Sequence, residues 1–254
     1  MNITIQTGRC TLSIDKRSKT SSTEILYLIV QEILNNPVYE SLVNGDRHLG
    51  AGDGRIRYFD EAVSPFAGFE TGYEKGFDDL YEQLPSGRKI LFATRNTLFE
   101  PKGWKLMHEI KGLQFVLDKP VFKDPIVHTL VPLKEVHIPQ MVALATLTKP
   151  GPFSTRTIEF GYYYGIFEND KLVAMTGQRL HVQNYTEVSA VCTHPDHLGK
   201  GYAYALMQHQ VNLILNNNQV PFLHVRADNA RAIEIYERIG FKENGGMNFY
   251  FLLR

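Results

Sequence analysis

Two cysteines in 254 residues, Cys10 and Cys192, are too few and too far apart to staple a small secreted fold. No pair carries the spacing of a zinc site or a redox motif. Net charge is missing as well: 27 Lys plus Arg stand against 27 Asp plus Glu, a formal +0. That balance removes the usual electrostatic footprint of a nucleic-acid binder. No apolar run approaches the ~20 residues that cross a bilayer. The leading stretch MNITIQTGRCTLSIDKRSK places polar residues where a secretory signal needs a continuous apolar region. The expectation is a cytoplasmic chain with neither a nucleic-acid nor a membrane partner. At 43% hydrophobic residues its length allows one large domain or two modest ones.

What is present is a succession of short periodic segments. Residues 22–36, STEILYLIVQEILNN, space their apolar positions as a helix does, with Ser or Thr available as a cap. HLGAGDGRIRYF reads as a hairpin turn before a strand, GFDDLYEQL as a helix and KILFAT as a buried strand. Residues 103–112 read as a helix ending at a glycine, followed by the strand LQFVL. A new unit is expected near residue 125, giving divisions 1–125 and 126–254. In the second, VHTLVPL reads as a strand and KEVHIPQMVALATL as a helix. FGYYYGIFENDKLVAMTG reads as two strands around a turn at Glu168, Asn169 and Asp170, and YTEVSAVCT as a fourth strand. The fold class is mixed α/β with at least one parallel crossover.

VCTHPDHLGKGYA joins that fourth strand to the helical pattern YAYALMQHQVNLIL. It is no Walker loop, for no Gly-Lys-Ser/Thr follows, and no dinucleotide fingerprint, for the third glycine is missing. A strand feeding a helix through a glycine turn nevertheless gathers backbone N–H groups and the helix dipole on one anion. Gly199 and Gly201 permit close backbone approach and Lys200 adds charge. Downstream, HVRADNARAIEIYERIGF carries Asn229, Ala232, Tyr236, Gly240 and Phe241.

These two motifs together resemble the GNAT superfamily of N-acetyltransferases over residues 126–254, and within it the C-terminal domain of glycine N-acyltransferases. The signature Gln/Arg-x-x-Gly-x-Gly/Ala is read on Leu198-Gly199-Lys200-Gly201-Tyr202-Ala203, with Leu198 in the Gln/Arg position. The resemblance implies acetyl-CoA as cosubstrate and no metal. It implies that Val191, Cys192 and Thr193 run along the pantetheine arm, that residues from Gly199 through Lys200, Gly201, Tyr202 and Ala203 to Tyr204 cradle the pyrophosphate, and that Asn229 contacts the cofactor.

Acyl transfer to an amine needs a proton acceptor for the amine, stabilisation of the oxyanion, and a proton for the leaving thiolate. Tyr236 is the candidate acid; its alternative is packing at helical spacing with Ala232 and Ile239. Glu187 and His224 are candidate bases, with channel water as the third choice. Glu187 shares a strand face with Ser189, Val191 and Thr193. His224 stands five residues before Asn229, where some members of the family place a glutamate. The alternatives are a strand-edge charge in water for Glu187 and a satisfied strand histidine for His224. KGWKLMHEIKGLQFVL faintly echoes the end of the chain, which suggests a degenerate GNAT-like first half walling the acceptor site. The expected activity is acetyl transfer to a primary amine of a small molecule or amino acid, by direct attack in a ternary complex. A non-catalytic acyl-CoA sensor and a protein N-terminal acetyltransferase are the alternatives.

Overall fold

The computed structural model describes residues 4–7, 10–13, 33–122 and 125–254. The helix expected over residues 22–36 lies outside them except for 33–36. Strands β1 (Thr4–Thr7) and β2 (Cys10–Ser13) pair antiparallel. After helix α1 (Pro37–Val43), the glycine-rich turn forms the expected hairpin between β3 (Gly50–Ala51) and β4 (Ile56–Phe59). Gly52 and Gly54 sit at φ 110° and 121°, backbone that a side chain resists. Strand β5 (Ala67–Phe69) completes a three-stranded sheet. Helix α2 (Gly76–Gln83) contributes Leu80 to a cluster with Trp104 and Tyr250.

The main sheet has eight strands. Its members are β6 (Lys89–Thr94), β7 (Lys105–Leu117), β8 (Val131–Pro132), β9 (Tyr164–Glu168), β10 (Lys171–Val182), β11 (Tyr185–Thr193), β12 (Val220–Arg226) and β13 (Phe241–Leu253). Their order is β6-β13-β7-β12-β11-β10-β9-β8. Only β11 and β12 run parallel, and helix α4 (Tyr202–Asn216) makes the crossover between them. The β9–β10 turn holds Asn169 and Asp170 at φ 48° and 62°, both positive as a tight hairpin requires.

Two expectations need correction. Residues 103–112 are not a helix: from Lys105 the chain is one 13-residue strand, laddered antiparallel to β13 on one side and β12 on the other. Tertiary pairing on both edges overrides the local helical spacing. The strand expected over 127–133 shrinks to β8, since Pro132 has no N–H to extend a ladder and suits an edge. Because β6 and β7 precede residue 125, the hydrogen-bonded sheet spans both expected divisions.

The two faces of the sheet are covered differently. Helix α3 (Ile138–Thr148) and α1 bury Met141, Leu144, Val38 and Leu42 on one face, against Met175, Cys192, Phe222 and Phe249. Helices α4 and α5 (Ala230–Ile239) bury Met207, Val211, Tyr236 and Ile239 on the other, against Phe115, Val188, Leu223 and Phe241. Helix α5 begins at Asn229, whose side chain accepts a hydrogen bond from Ala232 N at 3.2 Å. It ends at Gly240, φ 108°, where a Cβ would lie 1.9 Å from Lys119 O.

Candidate active site

Strands β11 and β12 stay in register only from Tyr185↔Val220 to Glu187↔Phe222. Beyond that pair they part. On its other edge β11 slips by one residue against β10, between Met175↔Cys192 and Gly177↔Ser189. The slip coincides with Ala190 at φ 53°, a β-bulge in a non-glycine residue. A cleft of about 750 Å³ opens at the parting. Val188, Val225 and Tyr236 line it from the α4/α5 face, and Phe66, Leu91 and Phe249 from the opposite face. The cleft therefore passes through the sheet between two strands.

Most of the expected cofactor-binding residues converge on it. Val191, Cys192, Thr193, Leu198, Gly199, Gly201, Tyr202, Ala203, Tyr204 and Asn229 all line the cleft. Gly199 and Gly201 have φ 82° and 79°, so the glycines are required by backbone conformation, not by crowding. No side chain caps the N-terminus of α4 and no acid stands in its first turn, which leaves its first N–H groups for an anion. Thr193 Oγ1 is buried there without a partner among the described residues. The donor set fits a pyrophosphate and pantetheine. With glycines at Gly199 and Gly201, the Gln/Arg position of the signature falls at Asp196, not Leu198; Asp196 is exposed.

Lys200 behaves otherwise. It is not among the lining residues, and its Nζ is 2.9 Å from Glu168 Oε1 at the β9–β10 turn. Tyr202 OH and His197 Nδ1 bind the same carboxylate. Lys200, Tyr202 and His197 hold the Glu168 carboxyl down to about 2. Lys200 thus ties the glycine loop to the neighbouring hairpin.

Glu187 and His224 come together, in a setting that sequence reasoning missed. Glu187 is fully buried rather than a solvated edge charge. Arg179 donates to it from Nε and Nη2, both at 2.7 Å, and His224 Nδ1 lies 2.7 Å from Oε1. Burial alone would raise the carboxyl, but the Arg179 charge and these hydrogen bonds hold it well below the usual carboxylate range. On the far side, His224 Nε2 is 3.0 Å from Gln114 Nε2. The direction of that bond is fixed by its surroundings. Arg95, which can only donate, bonds Gln114 Oε1 at 2.7 Å, and Leu34 O, which can only accept, takes Gln114 Nε2 at 2.9 Å. Gln114 Nε2 therefore donates to a lone pair on His224 Nε2, and the proton sits on Nδ1, donated to Glu187. Both candidate bases have their hydrogen-bonding capacity occupied.

Among the described residues, Tyr236 is the one candidate with no such partner. Burial, with Cys192 nearby, pushes its phenol up to about 12, so it is protonated at neutral pH. Burial likewise pushes the Cys192 thiol up to about 11, which leaves it a poor nucleophile.

Comparison with known proteins bears on the family and the fold. Residues 163–251 match the family described as FR47-like protein. A solved structure of the GNAT family from Novosphingobium aromaticivorans is 33% identical, with 87% of this chain and 98% of that one covered at a TM-score of 0.79. A GCN5-related N-acetyltransferase from Kribbella flavida shares the fold at 13% identity and a TM-score of 0.58, over 86% of this chain and 95% of its own. Among curated proteins, spermidine N(1)-acetyltransferase of Vibrio cholerae is 37% identical over 68 residues, which are 24% of this chain. The chain spans 39% of that relative's length. No helix among the described residues is long and apolar enough to cross a membrane.

Proposed function

This chain belongs to the GNAT family of acetyltransferases, and we propose that it transfers an acetyl group from acetyl-CoA to a primary amine of a small molecule or amino acid, by direct attack in a ternary complex. The observation that carries the reading is the parting of β11 from β12, on which the glycine loop, the Ala190 bulge and Tyr236 converge. The likeness to glycine N-acyltransferases read from the sequence favours an amino-acid acceptor within that class.

Acetyl-CoA supplies the activated acyl carbon. The uncapped N-terminus of α4 holds its pyrophosphate, and Thr193 and the bulged backbone of β11 receive the arm and the developing oxyanion. Tyr236 donates the proton that the departing thiolate needs, and the second proton lost by the acylated nitrogen restores the phenol through cleft water. With Glu187 held by Arg179 and His224 saturated by Gln114, the ammonium proton of the acceptor leaves to cleft water. Glu187 and His224 are then positioning residues that fix the wall of the cleft.

Replacing Tyr236 by Phe tests the assignment: kcat should fall by about 100-fold with acetyl-CoA affinity retained, as for loss of a general acid. Full turnover by that variant would remove Tyr236 from the mechanism. The saturated bases favour one second reading, an acyl-CoA sensor without turnover. Calorimetric binding of acetyl-CoA with no thiol release across an amine panel that includes a peptide N-terminus would establish it.

A further inference from the structure

The two sides of the cleft differ in chemistry. The side holding α5 and the glycine loop carries polar backbone and the charged residues Arg226, Arg231, Glu234 and Arg238. The opposite side is walled by Phe66, Leu91, Ile110, Phe249 and Phe251. These come from β6, β7, β13 and the loop before β5, and pack as one apolar cluster. If the cofactor enters from the α4/α5 face, as the preceding section proposes, the acceptor reaches the acyl carbon from this apolar face.

Few polar groups meet it there. Arg179 is one of them, 11% exposed, with Cζ 4.9 Å from the centre of the Phe66 ring. Its Nε and Nη2 are engaged by Glu187, while Nη1 makes no hydrogen bond to any described residue and would lie 3.9 Å from a Cβ on Gly151, in the loop that follows α3. His224 Nε2 is taken up by Gln114 Nε2, and Lys149 is the other charged group on this side. The carboxylate behind Arg179 has no exposed surface. Among the described residues lining this wall, no carboxylate stands to receive a second ammonium, and Lys149 would repel one.

We propose that the acceptor is a monoamine on an aromatic or branched apolar body, bearing one carbonyl or carboxylate oxygen that accepts from Arg179 Nη1. A hydrophobic amino acid or its amide has that chemistry, and a polyamine does not. The inference rests on the acetyltransferase reading.

Thiol release from acetyl-CoA is measured with L-phenylalanine, L-phenylalaninamide, phenethylamine and spermidine. The two oxygen-bearing aromatic amines should exceed phenethylamine in kcat/KM by about tenfold, the scale of one lost polar contact, and exceed spermidine by more. The first pair also separates carboxylate from carbonyl. Spermidine as the best acceptor, or phenethylamine equal to its oxygenated relatives, would overturn the inference while the acetyltransferase reading stands. Thiol release with none of the four but with another amine would do the same. Absence of thiol release with every amine tried would defeat that reading itself. Ile110→Glu places a carboxylate on the apolar wall and should move selectivity toward spermidine by about tenfold with acetyl-CoA binding intact. Phe251→Ala, on a half-buried position, should lower kcat/KM for phenylalanine by about tenfold, again without loss of acetyl-CoA binding. Unchanged selectivity in either variant that still binds acetyl-CoA counts against the wall.

Discussion

The Arg179–Glu187 pair offers the sharpest quantitative test. Glu187 has no exposed side-chain surface and Arg179 is 11% exposed, so the carboxylate has no compensation from water and the guanidinium has it only at its cleft edge. Glu187→Gln keeps the shape and one acceptor oxygen but leaves the guanidinium without its counter-charge. Breaking a buried pair from one side costs about 3–5 kcal/mol. For a chain of this size that is a fall in Tm of about 6–20 °C. Arg179→Met should cost a similar amount, whereas the double variant removes both charges and should be less destabilised than the two single changes added together. Thermal unfolding followed by circular dichroism supplies the four corners of the cycle. The pH dependence has a definite sign. The folded carboxyl lies below its unfolded value of about 4.3, so the stabilisation is fully present above that pH. It is lost as pH falls through the depressed folded value. The difference between wild type and Glu187→Gln should therefore be constant from neutral pH down to about 5 and narrow below about 4. A cost under about 1 kcal/mol, or strict additivity in the cycle, would show that the pair is not the desolvated unit described above.

Two further outcomes follow from the same geometry. With His224 Nε2 occupied, kcat/KM should rise with pH as the free amine forms, in a profile whose shape His224→Asn leaves unchanged. A limb of the wild-type profile abolished by His224→Asn would make His224 the base. Gly201→Ala forces a side chain into φ 79° at the head of α4 and should cost about 1–2 kcal/mol in acetyl-CoA binding or stability, read by calorimetry and by Tm.

The parts of the site legible in the sequence were those built from neighbours along the chain. YTEVSAVCT alternates over residues 185–193, and β11 occupies those residues. Asn229 and Gly240 bracket α5 because a cap and a left-handed stop are local devices. The buried ion pair lay within reach: Arg179 and Glu187 stand at similar distances from the β10–β11 turn, so a hairpin brings them face to face. His224 follows from the parallel register, two residues beyond the partner of Glu187 and hence on the same face. Gln114 had no such signal. It reaches His224 because β7 lies beside β12, a pairing across 110 residues that periodicity cannot encode. The same pairing explains why Lys105–Gly112 was misread, since the partners that make it a strand begin at Val220 and Phe241.

Strand β7 is what joins the first half of the chain to the chemistry of the second. Between the parallel pair β11–β12 and the final strand β13 there is room for one strand antiparallel to both neighbours, and the first half supplies it. On that strand Gln114 fixes the proton on His224 and Ile110, four residues earlier, faces the cleft. Residues four apart on a strand share a face, so the group that orients the buried histidine and a group that walls the acceptor side move as one element. Phe66 and Leu91 extend that wall, and a backbone bond from Leu91 N to Pro65 O at 2.8 Å holds them together. The proposed cofactor side is thus made from the glycine loop, α4 and α5, all of the second half. The proposed acceptor side draws chiefly on the first half and β13. A substitution on β7 should consequently alter acceptor choice and the state of His224 before it alters the grip on acetyl-CoA.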